Sequence, residues 1–516
     1  MVRRTAVLTT APRAARHNLV VWAQARLDEL RQTPLYIWAV GLVLAVLMGL
    51  LLPATLKVTV ALAVATALVL LCAISPRRSM DGLWFLMVFE GAIRKWIAPS
   101  TQEFIYFGKD VFLLGMYLGV AVRGYLAESQ SIAPIPRGIR AVSWLFVAYV
   151  ILDLFNPRLA NYLVGIFGAR NYLFYLGLMI ITPYIFASRG DFYRFLKYQI
   201  FIATAVCALG VVQFGLPPDH PINRYANDLH DMKVAGFSTG EAERARVTGT
   251  FSYITGYTSY LTIMAVLLFP FAFVSGGRAR WLYSISAVLM LGNAVMTGSR
   301  LPVAIIVALV PAFIQLATFG YADAQEAATI RRRLYMRTVL ISVAAFVVIL
   351  TFFREPLAGL EKRFEQYNDE GSRMARLYTE PLRTLQEAGI FGYGPGTTHQ
   401  ATPVILRILG TWTVLPDDPS EEDPGRVMLD LGLAGFLIWY LLRAMLIVWN
   451  WQLLVREQDG FFRLMLIALF LVQIACLPTQ TVVNHTQLTL FWFAIGAMRI
   501  PQLRPAVTRR RRKYVA

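Results

Sequence analysis

Apolar runs of about 15 to 22 residues recur along most of the chain, each near the length that crosses a bilayer as an α-helix. Roughly fourteen can be placed, centred near residues 43, 66, 89, 113, 148, 180, 204, 262, 290, 310, 345, 438, 469 and 493. This pattern constrains the fold more than any other feature, because backbone inside lipid must satisfy its own N–H and C=O groups. The expected fold is an all-α polytopic membrane protein. Composition agrees: 57% of the 516 residues are hydrophobic and 16% charged, against about a quarter charged in soluble domains.

The formal net charge is +18. With both termini in the cytoplasm, most Lys and Arg fall on cytoplasmic segments, including Arg77, Arg78, Arg137, Arg140, Arg278, Arg280, Arg331 to Arg333 and the tail Arg509 to Lys513. The charge is therefore an orientation signal. No aromatic platform is interleaved with it, which excludes nucleic acid as a partner. Cys72, Cys207 and Cys476 all lie in apolar runs, so no disulfide framework is implied. With no HExxH or DxD motif either, neither metal nor cofactor is expected. Polar, basic sequence precedes the first apolar run, the wrong order for a cleavable signal, so the first span is expected to be an uncleaved anchor. The resulting division is a basic cytoplasmic segment 1–34, a bundle 35–213, a loop 214–250, central helices 251–353, a large loop 354–427, C-terminal helices 428–499 and a basic tail 500–516.

Both long loops fall on the outer face, where loops of this length are usually functional. The second reads as two short amphipathic helices from about 357 to 388, broken near Asp369-Glu370-Gly371. Arginines on the outer face are the anomaly, since the topology bias depletes cations there and a guanidinium grips phosphate or carboxylate well. Arg300, in "TGSRLPV", sits between two apolar runs at the boundary. Arg246, in "RVTGTF", enters a span beside Thr248, Gly249 and Thr250. Arg363, Arg373 and Arg376 share the amphipathic loop, the last two one helical turn apart. Arg94, Lys95, Lys109, Asp110 and Arg170 mark outer ends of early spans, where ion pairs between helix ends explain them as well as a substrate does.

"FGYGPGTTHQ" carries Gly392, Gly394 and Gly396 as GxGxG. It lacks the spacing and the strand of a dinucleotide loop and the Lys-Ser or Lys-Thr of a P-loop. What remains is a turn of close backbone approach, its N–H groups suited to an anion nest. Candidate bases are His399, His220, His230 and His485, and the acids before the span at "PDDPSEEDPGRVMLDLGLAGF". Of these, Asp417, Asp418, Glu421, Glu422 and Asp423 also read as a solvated helix cap.

The order "RVTGTF", "TGSR", a large loop with spaced arginines, "GYGPG", then "LDLGLAGF" resembles the O-antigen ligase and polymerase family over about residues 240 to 440. The resemblance implies a C-type glycosyltransferase bundle with an extracytoplasmic site. The implied substrate is an undecaprenyl-pyrophosphate-linked glycan, moved to an acceptor hydroxyl at the periplasmic face of the bacterial inner membrane. By the same analogy Arg246, Arg300 and Arg376 hold the pyrophosphate, with Arg363 and Arg373 as alternates. Arg170, the three glycines and His485 join the substrate-binding set. The implied partners are the lipid bilayer, a chain-length regulator and other polysaccharide assembly proteins. Ligases carry a His-Asn before the last loop-to-span junction, where this chain has Glu421-Glu422. The base is then that pair or His399, and the departure favours a polymerase over a ligase. A transporter of an anionic substrate and a non-catalytic assembly protein are the alternatives. A transporter predicts charges midway along spans, whereas most charges here cluster near outer ends.

Overall fold

A computed structural model describes residues 54–97, 105–126, 134–226, 236–238, 243–319, 370–411, 413, 415–416 and 423–502, with isolated helical positions between 320 and 369. The expected spans near 43 and 345, the first amphipathic helix, Arg363, Glu421 and Glu422 lie outside these residues. The chain divides into two compact units, residues 1–130 and 131–516.

In the first unit, helices α1 (Ala54–Ile74), α2 (Pro76–Ala92) and α3 (Gly108–Leu126) pack closely, and a π turn, Ile93–Ile97, extends α2. Gly115 and Gly119 of α3 lie against α1, where a Cβ would collide with Cys72 and with the Val69 and Ala73 carbonyls. This is the small-residue spacing that lets helices touch through backbone in lipid. At the far end of α2, buried Glu90 pairs with Arg94 at 3.2 Å and with Lys109. These early cations therefore have the ion-pair partner that the sequence left as one of two readings.

The second unit is a helical bundle. Its helices are α4 (Arg137–Asp153), α5 (Tyr162–Ala169), α6 (Gly177–Ile185), α7 (Arg189–Phe214), α8 (Ile254–Val274), α9 (Gly277–Met296) and α10 (Arg300–Thr318). They continue with α11 (Glu370–Ala388), α12 (Thr402–Ile408), α13 (Asp423–Arg456), α14 (Gly460–Ala475) and α15 (His485–Ala497). A π turn, Arg170–Phe174, joins α5 towards α6. One short ribbon, Gly236–Ser238 with Glu243–Ala245, departs from the all-helical expectation.

Four helices, α7, α8, α10 and α13, are long and apolar enough to cross a membrane, and the bent pair through α5 and α6 makes a fifth. Fourteen such spans are thus not reached among the described residues, although helices stand at twelve of the fourteen expected centres. Several of these helices are shorter or more polar than the apolar runs suggested.

The described residues of the connections at 153–161, 214–226, 243–253, 297–300, 389–411 and 476–485 gather at one end of this bundle, where Asn156 meets Phe391, Arg246 meets Thr297 and Thr481 meets Asp423. Gln213 joins α7 to the loop before α8, accepting from Gly249 N at 2.8 Å and donating to Gly249 O at 3.0 Å. Asn484 Nδ2, beside α15, donates to Thr255 O at 3.1 Å and Ser259 Oγ at 2.9 Å on α8. Asp423, read from sequence as one of a solvated acidic cap, is fully buried. It accepts from Thr481 N at 2.7 Å and Val482 N at 3.2 Å, with Arg443 3.9 Å away.

The strongest local constraint is in α13. Gly432 has φ 64° and ψ −173°, which breaks the helix within its apolar stretch. The break frees carbonyls before it and N–H groups after it, and the segment 389–394 takes them up. Tyr393 N donates to Leu429 O and Gly394 N to Asp430 O, both at 2.9 Å, while Leu433 N and Ala434 N donate to Gly389 O and Ile390 O at 3.1 Å. Tyr149 OH on α4 donates to Leu431 O at 2.5 Å. Below the junction Ala388, Met428 and Leu429 form a small buried core that ties α11 to α13.

Only glycine occupies that backbone region without strain of roughly 1 to 3 kcal/mol. A Cβ at 432 would also collide with Ile390 O and Gly392 N. Gly432→Ala is expected to lose at least ~3 kcal/mol of stability, checked by thermal melting of the detergent-solubilised chain.

Candidate functional site

The turn 391–400 is clamped on two sides. Asn156, just past α4, donates to Phe391 O at 3.0 Å and to its own neighbour Asp153 at 2.9 Å. Arg158 covers the Tyr393 ring at 3.8 Å and donates to Ala388 O at 2.9 Å and Glu387 O at 3.0 Å. A cation on the last carbonyls of α11 is favoured by the helix dipole. On the other side Gly396 meets Gly168 of α5 backbone to backbone, so neither position has room for a side chain.

The N–H groups that suggested an anion nest have protein partners. Gly392 N donates to Ala388 O at 3.1 Å, Gly394 N to Asp430 O, and Gly396 N to Asp430 Oδ2 at 3.3 Å. Thr398 N donates to Asp430 Oδ1 at 2.9 Å, and Tyr172 OH to Oδ2 at 3.0 Å. The nest holds a carboxylate supplied by the chain itself. Asp430 lies inside "LDLGLAGF" and was not singled out by sequence, although a lone acid in an apolar run is a signal for a buried partner.

Beyond the turn, the His399 ring packs edge-on to Phe167 at 4.8 Å between centroids and lies 6.3 Å from the His485 ring. Its Nδ1 accepts from Ala401 N at 3.0 Å, and its Nε2 is buried without a hydrogen-bond partner among the described residues. Arg426, also buried, donates from one terminal nitrogen to Thr398 O at 2.7 Å. His485 Nε2 is 2.9 Å from Asn171 Oδ1 and 3.2 Å from an Arg170 terminal nitrogen, which is also 3.2 Å from Asn171 Oδ1. The π turn brings Arg170 and Asn171 to His485; such turns are frequent at functional sites.

A second group forms where "RVTGTF" meets "TGSR". Arg246 Nε donates to Thr297 O at 2.7 Å and a terminal nitrogen to Ser299 Oγ at 2.8 Å, while Val247 N donates to Met296 O. Arg300, half-buried, opens α10 one residue later. The structure thus brings Arg246 to the turn that carries Arg300, and Arg170 and His485 to His399. Arg373 and Arg376 stand one turn apart on α11, their side chains outside the described residues. No cluster of three metal-ligating side chains occurs among the described residues.

Burial, and then the charges of Arg426 and Arg170, push the His399 imidazole down from its usual 6.5 to about 3. An unfolded chain takes up this proton near pH 6.5, whereas the fold refuses it until about pH 3. Stability is therefore full above pH 6.5 and falls as pH drops through that window, by up to ~1.4 kcal/mol per unit. Thermal melts between about pH 6.5 and pH 4 should fall less steeply for His399→Phe than for the wild type. Asp430→Asn keeps one acceptor and turns a donor towards the other N–H groups, and an expected loss of ~3 kcal/mol would appear in denaturant or thermal unfolding.

A family model described as O-antigen ligase matches residues 285–440, so this segment of the chain is similar to that family. The matched stretch includes Arg300, the glycine turn, His399, Arg426 and Asp430, while Arg170, Arg246 and His485 lie outside it. No curated protein matches the chain.

Proposed function

We propose that the protein is a membrane glycosyltransferase that polymerises undecaprenyl-pyrophosphate-linked oligosaccharide repeat units into O-antigen or exopolysaccharide. In this reading it spans the bacterial inner membrane with both termini cytoplasmic. Segments 214–250 and 354–427 are its periplasmic loops, and the end of the bundle that gathers their described residues is its active face. A chain-length regulator and other assembly proteins are its expected partners.

The observation that carries the reading is the junction of Arg246 with the Thr297–Arg300 turn, in the vicinity of the family-matched segment. In the transfer, the acceptor hydroxyl oxygen bonds to the anomeric carbon, the bond from that carbon to the phosphate oxygen breaks, and the pyrophosphate leaves with the electron pair. Negative charge grows on the leaving group. Fixed guanidiniums at that point lower the barrier because they need no reorganisation during the step. Arg300 adds its charge where the N-terminus of α10 already favours an anion. Arg246 is oriented by two hydrogen bonds, and Arg376, with Arg373 and Arg363 as alternates, completes the set from the large loop. The acceptor's proton passes to the carboxylate pair Glu421-Glu422, which precedes α13 in sequence.

Purified protein incubated with a lipid-linked oligosaccharide should yield longer chains on gels. Arg300→Ala is expected to slow elongation roughly 100- to 1,000-fold, while Arg224→Ala, at an exposed loop position, leaves it unchanged. Unchanged elongation in Arg300→Ala would remove that residue from catalysis. Transfer to a non-glycan acceptor without elongation would establish ligase chemistry instead.

A further inference from the structure

A ring nitrogen that accepts from a backbone amide presents a lone pair there and carries no proton. Ala401 N donates to His399 Nδ1 at 3.0 Å, so the single proton of the neutral ring is on Nε2. Burial and two neighbouring arginines hold the ring neutral. His399 therefore presents Nε2–H, a donor, with 8% of the residue exposed and no acceptor among the described residues. A neutral imidazole in this tautomer has no lone pair on Nε2 with which to take a proton from an acceptor hydroxyl.

Arg426 repeats the pattern. It is 4% exposed, grips the Thr398 carbonyl with one nitrogen, and its buried Nε has no acceptor among the described residues. A buried donor without an acceptor is costly, and such groups call for a ligand. The nearby acceptors are engaged: both Asp430 oxygens by Gly396, Thr398 and Tyr172, and Asn171 Oδ1 by Arg170 and His485. Arg170 adds a further positive charge beside the His485 and Phe167 rings that flank His399.

We propose that His399 Nε2–H and Arg426 Nε–H, with the charge of Arg170, form a binding site for an anionic oxygen group, phosphoryl or carboxylate, and that His399 donates to that anion. The site is separate in its residues from the Arg246–Arg300 junction and does not depend on the transfer reading, which only supplies a lipid diphosphate or an acidic sugar as the natural source.

The test uses the full chain in detergent, with inorganic pyrophosphate and glucuronate as separate probes, read by calorimetry. An Arg300→Gln background keeps the other arginine junction from masking the result. At least one probe is expected to bind. His399→Phe, a ring of similar shape without an N–H, should weaken it roughly ten- to a hundredfold, whereas His399→Gln, whose amide carries N–H groups, should keep most of the affinity. Binding of pyrophosphate alone identifies a phosphoryl source, and binding of glucuronate alone a carboxylate. If neither probe binds, or if His399→Phe binds as well as its parent, the site is refuted. With Arg300 restored, His399→Gln should retain turnover with a raised KM. Full anion affinity with turnover abolished would instead make His399 the base and overturn the donor role. Absence of glycan transfer in the wild type with these affinities intact would count against the transferase reading alone.

Discussion

A helix interrupted within an apolar stretch leaves backbone donors and acceptors that cannot turn to water, and the architecture of the second unit answers that demand. At Gly432 the carbonyls of 429–431 and the amides of 433–434 lose their helical partners. They recover them from Tyr393, Gly394, Gly389, Ile390 and Tyr149. Non-helical backbone is tolerated at such a position only when protein covers it. The glycine turn is that cover, and its lack of side chains lets it lie flat against the break. Once the turn is fixed there, the residues that follow, Thr397 to Ala401, have little freedom left.

Electrostatics then separates two kinds of buried charge. Asp430 and Asp423 are spent on backbone: one fills the turn's N–H groups, the other holds Thr481 and Val482. Each serves as a covalently tethered anion inside a nest of amides, which stabilises loops that carry no regular hydrogen-bond ladder. Among the cations, Arg443 has Asp423 beside it and Glu90 serves Arg94 and Lys109 in the first unit. Near His399, by contrast, Arg426 has its Nε buried without an acceptor among the described residues.

Much of the bundle was legible because hydrophobic runs report helices directly. The runs centred near 204, 262, 310 and 438 correspond to α7, α8, α10 and α13. The break at Gly432 was not legible, since "LDLGLAGF" reads as uninterrupted apolar helix and hydropathy carries no information about φ. The start of α11 is half legible: Asp369-Glu370-Gly371 reads as a gap between helices, and Glu370 is where the described helix begins. Asp423 looked like one of five solvated acids because its partners lie about 58 residues away in sequence. The association of Arg246 with "TGSR" was anticipated only through resemblance, whereas the tautomer of His399 depends on the Ala401 amide, which no side-chain pattern reveals. Arg170 and His485 stand in one expected substrate-binding set, but nothing in their spacing of 315 residues announces that they touch.

The π turn at Arg170–Phe174 has a consequence for register. A π turn holds one residue more than the regular helix it interrupts. Wound as uninterrupted α-helix, the same residues would turn α5 by about 100° relative to α6. Gly168 would then no longer face Gly396, and Arg170 would leave His485. The extra residue works as a phase shift between two faces of one bent span. It allows the half that packs against the glycine turn and the half that packs against α15 each to present its own side chains correctly.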